Sequence, residues 1–377
     1  MQNIDAAWKW IPSYIEYINN DYYCESLDRT KKYYKNVRNY DSNKPKEDIR
    51  VHLLMLEGPT DIKLYKKIFS TTINNDTTIL NLSFDNGKKY YIPNDYARFM
   101  GIEVNNNVNF IKEFIDVFNE NRDGYKYIDF YGFIDRDYYH DIRGKERIKK
   151  ATEHDGETNL IYCYLDKLFD EIENKEKALD VFSKAAVFTY KQGILGKLCT
   201  LYLAEKEKIG NYSKGFDLKE KCHKKFKKNI SKSSFSNFDL ERYLNDVISD
   251  VDNDFVNYVF KSKEYCDIDY FDELQLYFKK WLISHEELDV KEKSRIKRCL
   301  EYSNGHILIS QLIINGANYF GIEYDEYDDK SLYECERMFV SKLINCFTQE
   351  PQVIYKIEPL ADYKNWRSKN NYFYNKK

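Results

Sequence analysis

Two short acidic clusters have the residue types and spacing for metal-assisted chemistry. One is Leu56-Glu57-Gly58-Pro59-Thr60-Asp61, which follows the apolar run Val51 to Leu56. The other is Gly132-Phe133-Ile134-Asp135-Arg136-Asp137, which closes a second apolar run. Alternate residues of a strand point to the same side, so Asp135 and Asp137 can present their carboxylates together. Carboxylates brought that close need a counter-ion, and a hard cation with oxygen ligands is the usual one. An acid at the end of a buried strand, then a Gly turn and a helix, is one half of a divalent-metal site. An Asp-x-Asp pair closing a neighbouring strand is the other half.

The elements that must position these acids are legible from hydrophobic spacing. Val51 to Leu56 is a continuous apolar run, predicted as a strand buried on both faces. Thr60 is a candidate N-cap, and Ile62, Tyr65, Ile68 and Phe69 follow at helical spacing. A second strand is predicted over Thr78 to Phe84. A helix follows over Asn107 to Asn119, with Val108, Ile111, Phe114, Ile115 and Phe118 on one side. Lys126 to Ile134 then gives the strand that ends at Asp135, although Asp129 is awkward there if both faces are covered. Thr152 to Asp155 reads as a short last strand, and Glu157 opens a helix. Strand, helix, strand, helix, strand implies a mainly parallel sheet flanked by helices, with ligands beyond the carboxyl ends of the strands.

From about Asn174 the spacing is wholly helical: Ala178 to Glu205, Leu240 to Phe260, Phe271 to Ser284, Val290 to Tyr302, His306 to Phe320 and Ser331 to Phe347. The predicted organisation is a helical N-terminal segment (1–50), an α/β catalytic domain (51–170), an all-α domain (171–358) and a polar tail (359–377). Within the first segment, helices are predicted over Ala6 to Ile18 and Ser26 to Asn36.

The chain has 377 residues, enough for two domains, and its 42% hydrophobic content supports packed cores. A net charge of -3 hides near-equal acids and bases, so any nucleic-acid footprint must be local. The 35 tyrosines fit the codon bias of an AT-rich genome and carry no functional weight. Eight scattered cysteines without a C-x-x-C pair indicate reduced thiols rather than a disulfide framework or a zinc site. No signal-peptide pattern opens the chain, and no apolar run approaches the ~20 residues of a membrane span. A cytoplasmic location without membrane association is the expectation.

The E-G-x-x-D pattern after one strand and D-x-D after a later one resemble the TOPRIM domain. That domain is shared by type IA and II topoisomerases, bacterial primases and OLD-family nucleases. The forms LEGPTDIKLYKKIF, GFIDRDY and EHDGET look most like the small OLD-like TOPRIM nucleases of anti-phage defence, including the nuclease component of PARIS-type systems. The likeness runs from about Val51 to Leu168, with a weaker echo at Asn304-Gly305-His306. It implies a TOPRIM-like α/β fold and a Mg²⁺- or Mn²⁺-dependent endonuclease acting on DNA or tRNA-like RNA. Asp135 and Asp137 would hold the metal, and Glu57 would be a further ligand or the general base. Asp61 would hold a second ion or orient Glu57, and Glu157 would supply the late acid. The resemblance further implies a toxic effector working with a separate ABC-type ATPase; assembly of like chains is compatible with it.

Plainer readings stand beside these. Asp61 and Glu157 each lie in a first helical turn, where the dipole favours a carboxylate anyway. Arg136 suits a salt bridge as well as a substrate phosphate. His140 and His154 read as surface residues, and His306 as a helix cap or packing residue. Two basic stretches, Lys219 to Lys232 and Lys291 to Arg298, fit either a nucleic-acid backbone or a solvated helix face. Gly193-Ile194-Leu195-Gly196-Lys197-Leu198 has the wrong spacing for a phosphate-binding loop. A housekeeping RNA-processing ribonuclease and an inactive partner-binding module are the alternatives to a defence nuclease.

Overall fold

The computed structural model describes residues 11–18, 20, 51–56, 65, 77–81, 107–120, 128–135, 147–150, 155–207, 242, 245, 253–262, 271–325, 329–350 and 353. The chain divides into two compact units, one of residues 1–135, 141–151 and 350–377, the other of residues 136–140 and 152–349.

The first unit is built on a four-stranded sheet of β1 (Val51–Leu56), β2 (Thr77–Asn81), β3 (Ile128–Ile134) and β4 (Ile148–Lys150). Its order is β2-β1-β3-β4, and every neighbouring pair is parallel. Leu54, Met55 and Leu56 are buried in succession, as are Phe130, Tyr131, Phe133 and Ile134. Successive side chains point to opposite faces, so both faces of β1 and β3 are covered, which is why neither strand alternates in polarity. Helix α1 (Asn107–Glu120) buries Ile111, Phe114, Ile115 and Phe118, the i, i+3, i+4, i+7 stripe its sequence carries. Phe114 and Phe118 set their rings edge-on to Phe130, with centroids 4.5 and 5.0 Å apart. Gly132 makes room for this helix: a Cβ there would lie 2.7 Å from Ile111 Cγ2. Residues 11–18 are helical and bury Ile11, Tyr14, Ile15 and Ile18 at the same spacing. Tyr14 meets Phe114 at 5.8 Å, so this segment packs on α1.

The second unit is helical: α2 (Gly156–Asp170), α3 (Lys175–Glu207), α4 (Asn253–Lys261), α5 (Phe271–Lys279), α6 (Val290–Tyr302), α7 (Gly305–Gly316) and α8 (Asp329–Gln349). The 33-residue α3 is its spine and packs against α4, α5, α6 and α7. Phe182 on α3 links Phe169 of α2 (6.2 Å) to Phe278 of α5 (5.0 Å). Gly193 lets the end of α6 lie against α3, because any Cβ would overlap the carbonyl of Tyr302.

Three elements differ in detail from the sequence reading. Asp155 is the N-cap of α2 rather than the end of a strand; the rest of that predicted strand, 152–154, lies outside the described residues, among which the last strand is Ile148–Lys150. The segment Phe271 to Ser284 ends in a π-helical turn, Lys280–Ser284, closed by His285 at φ 52°. The segment His306 to Phe320 starts one residue earlier and tightens into a 3₁₀ turn at Ala317–Phe320. Helix α2 also groups with the helical unit, so the division falls near residue 152. Among the described residues, no helix is long and apolar enough to cross a membrane.

Candidate metal centre and the Glu157–His306 contact

The strand order decides where a ligand can sit. From β1 the chain forms β2 on one side, then returns to place β3 on the other side of β1. In open parallel sheets ligands commonly bind beyond the carboxyl ends of the two strands that flank such a reversal, and here those strands are β1 and β3. Met55 is level with Gly132, so β1 and β3 reach that rim within two residues of each other. Asp135 is the first residue beyond β3 and is half-buried. Glu57 is the next residue of the chain after Leu56, the last of β1. Glu57, Asp61 and Asp137 themselves lie outside the described residues, as do Arg136, His140 and His154. Among the described residues no three His, Cys, Asp or Glu side chains share one site.

The rim is held from behind by Arg147, buried just before β4. Its Nη1 donates to the Phe130 carbonyl oxygen at 3.2 Å, and its guanidinium lies 5.7 Å from the Phe118 ring centroid. Its own carbonyl accepts the Gly132 N–H at 2.8 Å. These contacts fix β3 three residues before Asp135.

Glu157 belongs to the helical unit, in the first turn of α2, and only 2% of its surface is exposed. Its Oε1 faces His306 Nε2 at 3.4 Å, while the imidazole is half-exposed. What positions this pair is Asp155, itself buried. Oδ1 of Asp155 accepts the Thr158 N–H (2.9 Å) and the Thr158 hydroxyl (2.6 Å). Its Oδ2 accepts the Gly305 N–H at 2.7 Å. One carboxylate therefore closes the N-termini of α2 and α7 together, where it also meets both helix dipoles favourably. The Thr158 hydroxyl then donates to the Ser303 carbonyl oxygen at 3.0 Å. Gly305 is required here, since a Cβ would overlap the Asp155 carboxylate.

The strings Asp155-Gly156-Glu157-Thr158 and Asn304-Gly305-His306, far apart in sequence, thus meet in space. His306 does not cap α7: Asn304 does, accepting the Ile307 N–H at 3.0 Å. The sequence signal for Asp155 as a cap is the Asp-x-x-Thr pattern before an apolar run, which competes with the strand reading of Thr152 to Asp155.

No family model matches this chain, and neither a curated protein nor a solved structure matches it.

Proposed function

We propose that the chain is a metal-dependent nuclease whose acids gather at the rim where β1 and β3 end. The observation that carries the reading is the strand order: Glu57 and Asp135 directly follow the two strands flanking the reversal. An all-oxygen donor set of this kind suits Mg²⁺ or Mn²⁺. A bound cation would supply charge relief on the phosphate and an acidified water. Asp135 and Asp137 would hold it, Glu57 would accept the proton of the attacking water or add a ligand, and Asp61 would orient Glu57. The sequence resemblance names Glu157 as a late acid; it stands in the first turn of α2, within the helical unit.

The sequence resemblance extends this to a toxic anti-phage effector acting with a separate ABC-type ATPase on DNA or tRNA. The test is incubation of the purified protein, alone and with the product of any adjacent ATPase gene, with plasmid and total tRNA. Cleavage is expected with Mg²⁺, none with EDTA, and a loss of at least ~100-fold in Glu57→Ala and Asp135→Ala. Cleavage that persists unchanged in both variants would overturn the assignment.

A further inference from the structure

The exposed side of α6 carries a set of lysines whose arrangement stability does not explain. At 100° per residue, Lys291 lies on one flank of that side and Lys293 and Lys297 on the other, with exposed Ser294 between them. All three lysines are exposed, and no ion pair engages them among the described residues. The acids of the same region are turned inward or already matched. Glu292 is buried and takes Lys280 Nζ at 2.6 Å, and its other oxygen accepts the Asp289 N–H at 2.9 Å. Glu273 is taken by Arg295. Glu286 and Glu287 bound the patch in the preceding loop, and Glu301, one turn (about 6 Å) beyond Lys297 on the same side, bounds it at the other end.

Position matters as much as number. Lys291 and Lys293 occupy the first turn of α6, and its last turn holds no basic residue. Cations at the positive end of a helix oppose its dipole, so these lysines work against the helix that carries them. The flanks extend for up to about 10 Å, a length over which one nucleic-acid strand presents about three phosphates.

We propose that this face of α6 grips the phosphate backbone of a nucleic acid. The proposal rests on the nuclease reading for the identity of its polyanion, and it assigns substrate contact to the helical unit. The test is fluorescence anisotropy in EDTA with a labelled DNA duplex and a labelled tRNA, from about 50 to 200 mM salt. The triple variant K291E/K293E/K297E is compared with a charge-matched control, K177E/K184E/K261E. Circular dichroism checks folding, and the triple Lys→Gln variant replaces the Glu version if that fails to fold.

The expected result is a loss of at least ~10-fold in affinity, and a salt slope reduced by about 2 to 3, for the α6 variant. The control is expected to stay within about twofold of the parent chain. Wild-type affinity and slope in the α6 variant, an equal loss in the control, or no binding of either ligand by the parent chain would overturn the proposal. Parallel Mg²⁺ reactions with Glu57→Ala report on the chemistry alone. Lysine-dependent binding without cleavage by the parent chain, either alone or with the product of any adjacent ATPase gene, would sink the nuclease reading and keep the surface.

Discussion

Among individual residues, Asp155 does the most identifiable structural work, and its removal has a calculable cost. Asp155→Ala deletes an N-cap, about 1 kcal/mol, and leaves the Gly305 N–H without its acceptor, about 1–3 kcal/mol more. A stability loss of roughly 2–4 kcal/mol is expected by denaturant titration, with Asp155→Asn intermediate because one oxygen survives. Glu292 sets a pH dependence. The hydrogen bond from Lys280, then that from the Asp289 N–H, holds its carboxyl below the ordinary range. Its contribution is therefore complete above the free glutamate value of about 4.3 and is lost as pH falls through the depressed folded value. The stability difference between the parent chain and Glu292→Gln should be flat at neutral pH and shrink below about pH 4. Burial pushes the Cys299 thiol up to about 12, so thiolate is negligible at neutral pH. Alkylation of the native protein should modify half-exposed Cys163 well before Cys299, which reacts only on unfolding; mass spectrometry of the modified peptides reads the order.

At the scale of elements, the two glycines at packing seams make a graded pair. Gly132→Ala meets a side-chain methyl group that can shift and should cost about 1–3 kcal/mol. Gly193→Ala meets the backbone of Tyr302, which cannot turn aside, so it should cost more and loosen α6 from α3. Thermal melts of the two variants test that ranking. Such seams are invisible in sequence, because a lone glycine in a helical pattern names no neighbour. The elements themselves were largely legible. Val51 to Leu56 and Val290 to Tyr302 match their observed bounds, because unbroken apolarity marks a strand covered on both faces and Asp289 with Glu292 forms a capping box. The π-helical turn at Lys280–Ser284 was not legible, since its spacing differs from the helical period by less than one residue per turn. Strand order was not legible either; the neighbours of β1 are set by which faces the helices cover. For the candidate site, the sequence named Asp135 and Glu157 as acids, but not the Asp155 bridge or the imidazole facing Glu157.

For the whole molecule, Glu57 and Asp135 fall in the sheet unit, and the α6 lysines fall in the helical unit. A fragment of residues 152–350 contains the aromatic core around Phe182 and the α6 lysines. It should melt cooperatively by circular dichroism and retain nucleic-acid binding in EDTA while cleaving nothing, because it lacks Glu57 and Asp135. The Asp155–Gly305 bond bears on how that unit assembles. It joins positions 150 residues apart, so nearly the whole length of the helical unit must be in place before it can form. Closing a loop of such span carries a large entropy cost, and we expect the contact to form after local helix formation and after the rate-limiting step. Breaking it should leave the refolding rate nearly unchanged and hasten unfolding, making Asp155 a latch on the lifetime of the native state.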